Sequence, residues 1–212
     1  MSGIERDPPP GAQPLSAPLA EPGWQAVDKL ALDQFSAADW ALLDRQRRPF
    51  YAERQAARVL AMLALEAQDP TFGYRINNYQ HCLQSATMAW RAGEDEETVA
   101  VALLHDIGFT ACPSTHGAFA AALLGPYVAE RHRWMLERHP VFQLVHCPEF
   151  PRGDPRERER WRGHPHFEWT AAFVARYDQN AIDPAYPTAP LTFFAPLVHR
   201  LFARPPQPVP ID

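Results

Sequence analysis

Six residues of this chain have the types and placement to hold metal ions: His81, the adjacent pair His105 and Asp106, His116, His139 and Asp178. Imidazole nitrogen and carboxylate oxygen are the donors a transition metal takes where no thiolate is offered. The adjacent pair is the most informative. Before it run Val99, Ala100, Val101, Ala102, Leu103 and Leu104, and a helix that is apolar all round lies in the centre of a domain. An ionised carboxylate at the end of such a helix is costly unless it is paired or bound to a metal. Neighbours on a helix point about 100° apart, so His105 and Asp106 can serve one small site only off the helix end. There Asp106 could bridge two ions, with imidazoles filling the remaining positions. Taken singly, a histidine on an apolar stripe is more often a hydrogen-bonded core residue than a ligand. One dinuclear site would satisfy all six residues together. Such a nitrogen and oxygen set suits iron, manganese or zinc better than calcium, and the absence of sulfur ligands disfavours copper.

The elements that must carry these residues read as helices. Between the two ends of the chain the periodicity is helical and no two-residue alternation of the strand type occurs, so the expected fold is all-α, a single-domain helical bundle. Ser36 is the expected N-cap of a first helix, with Asp39 at its third position; Pro49 should kink or restart it, and a second segment follows over residues 50–66. A polar and aromatic loop, residues 71–81, leads into a helix reaching about Ala92, with His81 in its first turn and Gly93 as its stop. Acidic Asp95, Glu96 and Glu97 occupy the positive end of the central helix, and Gly108 is expected to be its left-handed stop. His116 opens a short helix after Pro113. Gly125-Pro126 starts another, expected to end at His139 before Pro140. His132 and His139 share a stripe of that helix, and the stripe alone does not choose between them. A helix opened by His164-Pro165-His166 carries Phe167, Ala171, Val174 and Asp178 on one face, and a segment over residues 191–202 closes the bundle.

Composition narrows the function classes. The chain has 212 residues and a formal net charge of -5, with neither a basic field nor a helix-turn-helix signature, so no nucleic-acid partner is expected. No apolar run approaches the roughly 20 residues that span a bilayer, and no basic then apolar leader opens the chain, so no membrane association is expected and the location is read as cytoplasmic. Cys82, Cys112 and Cys147 are odd in number and widely spaced, against both a disulfide framework and a Cys-x-x-Cys zinc site. Residues 1–23 read as a flexible proline-rich arm, 24–203 as the helical metal-binding domain and 204–212 as a proline-rich tail. The run from Arg156 to Arg162 reads as a solvated face of alternating charge.

The ordered set His81, His105-Asp106, His116, His139 and Asp178 resembles the HD-domain superfamily of metal-dependent enzymes, with Ala-Leu-Leu-His-Asp-Ile-Gly, ending at Gly108, its most recognisable phrase. The similarity covers roughly residues 74–178. The 23 residues between His81 and His105, and the closing Arg176-Tyr-Asp-Gln-Asn180, resemble the branch that contains the phosphonate-cleaving oxygenase and myo-inositol oxygenase. The resemblance implies two metal ions, a mixed-valent Fe(II)/Fe(III) pair with Mn, Zn or Mg as alternatives, and activation of O2 to oxidise or cleave a small hydroxylated or anionic substrate. It places His81, His105, Asp106 and Asp178 on one iron and His116, His139 and bridging Asp106 on the other, and it favours His139 over His132. No catalytic group beyond these ligands is expected. The wider superfamily supplies the alternative, a phosphohydrolase in which a metal-bridged water attacks phosphorus, and ligand identity does not separate the two. A catalytically silent metal-binding module is a third reading, against which the complete ligand set counts.

Two departures bear on the substrate. Where the phosphonate enzymes have a histidine three residues after the motif aspartate and a lysine four after the fourth histidine, this chain has Phe109 and Gln143. Phosphonate binding is therefore not carried over. Tyr74, Arg75 and Gln143 are the candidate substrate contacts. The loop over residues 74–79 lies where relatives place gating groups, and Arg75 could hold an anion or a polyol, with a surface salt bridge as its equal alternative.

Overall fold

The computed structural model describes residues 22–209. The expected arm, apart from its last two residues, and the final three residues of the expected tail lie outside them. The fold is all-α: seven α-helices joined by short 3-10 turns, with no strand among the described residues. None of these helices is long and apolar enough to cross a membrane. The contacts divide the chain into two compact units, Met1–Pro49 and Phe50–Asp212.

In the first unit the expected cap is present. The Asp39 N–H donates to Ser36 Oγ at 3.3 Å, and the Asp39 carboxylate accepts from the Ser36 N–H at 2.7 Å and from its hydroxyl at 2.6 Å. Lys29 also donates to that carboxylate. Pro49 does not restart the helix: α1 runs over Ala37–Leu65 with the proline inside it. Proline removes the hydrogen bond that would go to the carbonyl of Arg45, and because Arg45 is exposed water can take that place.

The second unit is organised around a central helix. In it α1 buries Ala56, Val59, Leu60 and Leu63, the spacing of one helix face. Helix α2, Asn78–Arg91, begins three residues before His81 through a reciprocal cap between Asn77 and Gln80, and Gly93 at φ +79° ends it as expected. Helix α3, Glu96–Leu104, is capped by Asp95 through the Thr98 N–H at 2.7 Å and is buried from Thr98 onward. Each fully buried Leu or Val there contributes about 1.5–3 kcal/mol, which holds the end of α3 still. Gly108 corrects an expectation: it is not left-handed. The chain leaves α3 through tight turns, with Phe109 N–H to Asp106 O and Cys112 N–H to Gly108 O, both at 2.8 Å. Glycine is needed at 108 because a Cβ would lie 2.7 Å from the ring of Phe119.

Helices α4, His116–Leu124, and α5, Glu130–Gln143, pack closely. A Cβ on Gly117 would meet the Leu136 carbonyl oxygen at 2.6 Å, so the two backbones touch where only glycine fits. Gly117→Ala should therefore cost about 1–3 kcal/mol in denaturant unfolding, with an unchanged midpoint ruling out the contact. The expected stop of α5 at His139 is also corrected, since the helix passes through Pro140 and ends at Gln143. Helix α6, Phe167–Phe173, runs on into a π-turn, Val174–Asp178, closed by Gln179 N–H to Val174 O at 3.1 Å. Helix α7 spans Leu191–Phe202. Of the expected tail, Gln207 donates its N–H to Pro126 O at 2.8 Å and Arg204 donates to Glu97 and to Tyr127 O.

Candidate metal centre

All six candidate ligands converge at one place in the second unit. Helix α2 brings His81, the end of α3 brings His105 and Asp106, the first residue of α4 is His116, α5 brings His139 and the π-turn brings Asp178. The Nε2 atoms of His139 and His116 lie 2.9 and 3.2 Å from Asp106 Oδ1. His81 Nε2 lies 3.7 Å from Asp106 Oδ2 and 3.6 Å from Asp178 Oδ1, and His105 Nε2 lies 3.8 Å from Asp178 Oδ1. The two oxygens of Asp106 thus face different imidazoles, as a bridging carboxylate requires. Three overlapping triads have donor atoms within 4.8 Å of one another: His81, His105 and Asp106; His105, His139 and Asp178; and Asp106, His116 and His139.

The backbone fixes which nitrogen of each ring faces inward. Nδ1 of His81, His105, His116 and His139 contacts the carbonyl oxygens of Ala181, Ala102, Pro113 and Leu136 at 2.8–3.0 Å. A carbonyl only accepts, so each Nδ1 carries a proton and donates it, which leaves Nε2 as the inward nitrogen that could ligate a metal. This arrangement of the outer nitrogen is the one that orients a metal-bound histidine. In three of the four the acceptor lies three residues earlier in the chain. At His139 the reason is visible: Pro140 has no N–H to give to the carbonyl of Leu136 four residues before it, so the His139 ring takes it. At His105 the helix stops at Leu104, which opens the Ala102 carbonyl to the ring.

That geometry asks for a cation in the middle. His81 Nε2 and His105 Nε2 stand 3.1 Å apart, a separation that needs a proton or a metal ion between two imidazole nitrogens. Asp178 Oδ2 is buried without a hydrogen-bond partner among the described residues, although Gln143 Nε2 donates to its Oδ1 at 2.8 Å. Burial opposes a charge on His105, but Asp106 and Asp178 outweigh it and raise the ring to about 9. Burial would raise Asp106, yet the imidazoles of His105, His116 and His139 hold its carboxyl well below the usual carboxylate range. These buried groups fit metal ions by donor chemistry, by orientation and by charge, and could hold them.

A cavity of about 130 Å³ opens onto His81, Asp106 and His116. Of the candidate substrate contacts, Tyr74 and Gln143 line it, whereas Arg75 is exposed and is not among its lining residues. His132 lies elsewhere, with Nδ1 2.6 Å from Glu97 Oε1 and Nε2 3.1 Å from Thr98 Oγ1, which removes it as a competitor of His139. His164 stacks on Trp134 at 4.3 Å. The three cysteines are free, as expected.

Two residues behind the site were not anticipated. Glu66 is buried, and Asn78 Nδ2 joins it to the centre, donating to Glu66 Oε2 at 2.7 Å and to the Asp106 carbonyl at 3.0 Å. Burial pushes the Glu66 carboxyl up to about 7 despite the Asn78 bond. Between the ordinary glutamate value of 4.5 and about 7 the folded chain binds more protons there than the unfolded chain, so stability falls as pH rises through that window. Glu66→Gln removes the titration. It should raise the thermal unfolding midpoint at pH 8 and leave it nearly unchanged at pH 4.5, and equal shifts at both would show that the carboxyl does not titrate in this range.

In comparisons with known proteins, no family model matches the chain and no curated protein is significantly similar to it.

Proposed function

We propose that this chain is a dinuclear metal enzyme of the HD-domain type, an oxygenase that oxidises or cleaves a small hydroxylated or anionic substrate held over the centre. The observation that carries the reading is the convergence of four oriented Nε2 atoms and two carboxylates beside a cavity that His81, Asp106 and His116 line. The resemblance of the ordered ligand set to the mixed-valent diiron branch supports iron and O2 as the chemistry. An iron pair bound here would supply the activation of O2; the chain's own part is orientation, exclusion of water and choice of substrate. The carbonyl bonds to Nδ1 fix each imidazole before metal arrives, and Gln143 steadies Asp178. The cavity reaches His81, Asp106 and His116, so a substrate enters on that side, while His105, His139 and Asp178 are almost completely buried.

The test is anaerobic loading with iron, followed by electron paramagnetic resonance for a coupled ferrous and ferric pair and a screen of polyols, phosphonates and phosphate esters. Oxygen consumption without ester hydrolysis is the expected result. Manganese- or magnesium-dependent phosphate release in the absence of O2 would overturn the oxygenase and leave a phosphohydrolase on the same ligands.

A further inference from the structure

The walls of the cavity differ sharply from its floor. Above the ligands, Phe72, Tyr74, Ile76, Phe109 and Ile182 give it apolar surface, and none of the described residues lining it is Lys or Arg. The polar side chains of the wall are also largely committed. Asn77 Nδ2 donates to the carbonyls of Ala67 and Asp69, and Asn78 Nδ2 donates to Glu66 and to the Asp106 carbonyl, which uses both hydrogens of each amide. Gln143 has given one of its two to Asp178. A phosphomonoester carries three terminal oxygens and close to two charges at neutral pH. Metals could take two oxygens; the third would meet only neutral donors, one carboxamide hydrogen of Gln143 and the hydroxyls of Thr71 and Tyr74, and no cation.

The rim carries a second, independent sign. Phe72 is the only non-glycine with positive φ, +53°, among the described residues, and Gly73 follows at +97°. A bulky residue in that region is strained. The strain is not repaid by burial, since Phe72 and Tyr74 are 63% and 64% exposed, yet both rings line the cavity. A large exposed aromatic held in a strained backbone at a cavity wall, with Tyr74 beside it, offers surface suited to an apolar ligand.

We propose that the cavity selects an uncharged, partly apolar substrate, whose oxygen-bearing end meets the metal centre while its hydrocarbon part lies against Phe72, Tyr74, Phe109 and Ile182. This deepens the enzyme reading above and rests on it for the role of the oxygen end. The substrate class is a neutral alcohol, diol or carbonyl compound with a short hydrocarbon body, in place of the phosphate esters of the hydrolytic alternative.

The test titrates the full-length, zinc-loaded protein with two probes of matched chain length, 1,2-hexanediol and hexyl phosphate, by calorimetry. The diol should bind more tightly than the phosphate, and its affinity should fall about tenfold in Phe72→Gly, a change worth about 1.4 kcal/mol. Phe72→Gly should leave the thermal unfolding midpoint unchanged or raised, because it releases a strained residue with little buried surface. Tighter binding of hexyl phosphate, or diol affinity indifferent to Phe72→Gly, would overturn the inference, as would failure of both probes to bind. Elemental analysis of the wild type separates the two levels. A protein that takes up no metal defeats the enzyme reading, and the same pair of probes on metal-free protein still reads the apolar wall. A metal-loaded protein that prefers the phosphate defeats only the substrate class.

Discussion

Asp106→Asn is expected to strip the centre of metal while leaving the helices in place. The replacement has the same shape, but it removes the one charge that faces His81 through Oδ2 and His116 and His139 through Oδ1. Loss of partners that merely orient ligands already costs 10–100-fold in metal affinity, so removal of the proposed bridging carboxylate should cost at least about 100-fold. Elemental analysis after dialysis checks this, and a variant that retains two equivalents of metal would sink the assignment. The wild type carries a related signature. Without metal, the charge of Asp106 and Asp178 is met by a proton on His105, which is held up to about 9. A metal entering at pH 7 must displace that proton, so binding should release it and weaken as pH falls. Calorimetry in two buffers of different ionisation enthalpy measures the release directly.

Pro140→Ala should move stability and metal binding in opposite directions. Proline in a helix interior is about 3 kcal/mol less favourable than alanine, so the variant should gain stability, by less than that because α5 already accommodates the ring. The new N–H at position 140 would take the Leu136 carbonyl, which now accepts His139 Nδ1 at 2.8 Å. His139 then loses its tautomeric anchor and its orientation toward Asp106. Metal affinity should drop about 10–100-fold even as the unfolding midpoint rises. A variant that gains stability and keeps full affinity would show that the carbonyl bond does not position the ring. The opposite signs matter because a merely damaged fold would lose both.

The residues of the centre were legible because metal chemistry and helix chemistry each leave a local mark. A histidine and an aspartate at the end of the apolar run over residues 99–104 cannot be reconciled with burial unless something pairs them, and that holds whatever the rest of the chain does. The cap at Ser36, the acidic start of α3 at Asp95 and the stop at Gly93 were readable for the same reason: they satisfy or complement backbone groups within a few residues of themselves. The prolines show where local reasoning fails. Pro49 and Pro140 both mark expected breaks, and both lie inside continuous helices, because the carbonyl each one orphans finds another partner, which can be water at Arg45 or an imidazole at Leu136.

Other features depend on segments far apart in the chain. Gly108 looks like a helix stop, but its lack of a side chain answers the ring of Phe119, and no local pattern distinguishes a steric need from a conformational one. The helix stripe alone left His132 beside His139, and what sets His132 apart are its partners Glu97 and Thr98, some 35 residues away. Glu66 gives no sign in the sequence that it will be buried, since its environment is made by α2 and the turn after α3. The types and order of the candidate ligands therefore belong to the chain itself, because they follow from local burial and donor chemistry. The cavity, its apolar wall and the carbonyl that aims each imidazole belong to the packing, because each is built from backbone and side chains that meet only when the helices close on one another.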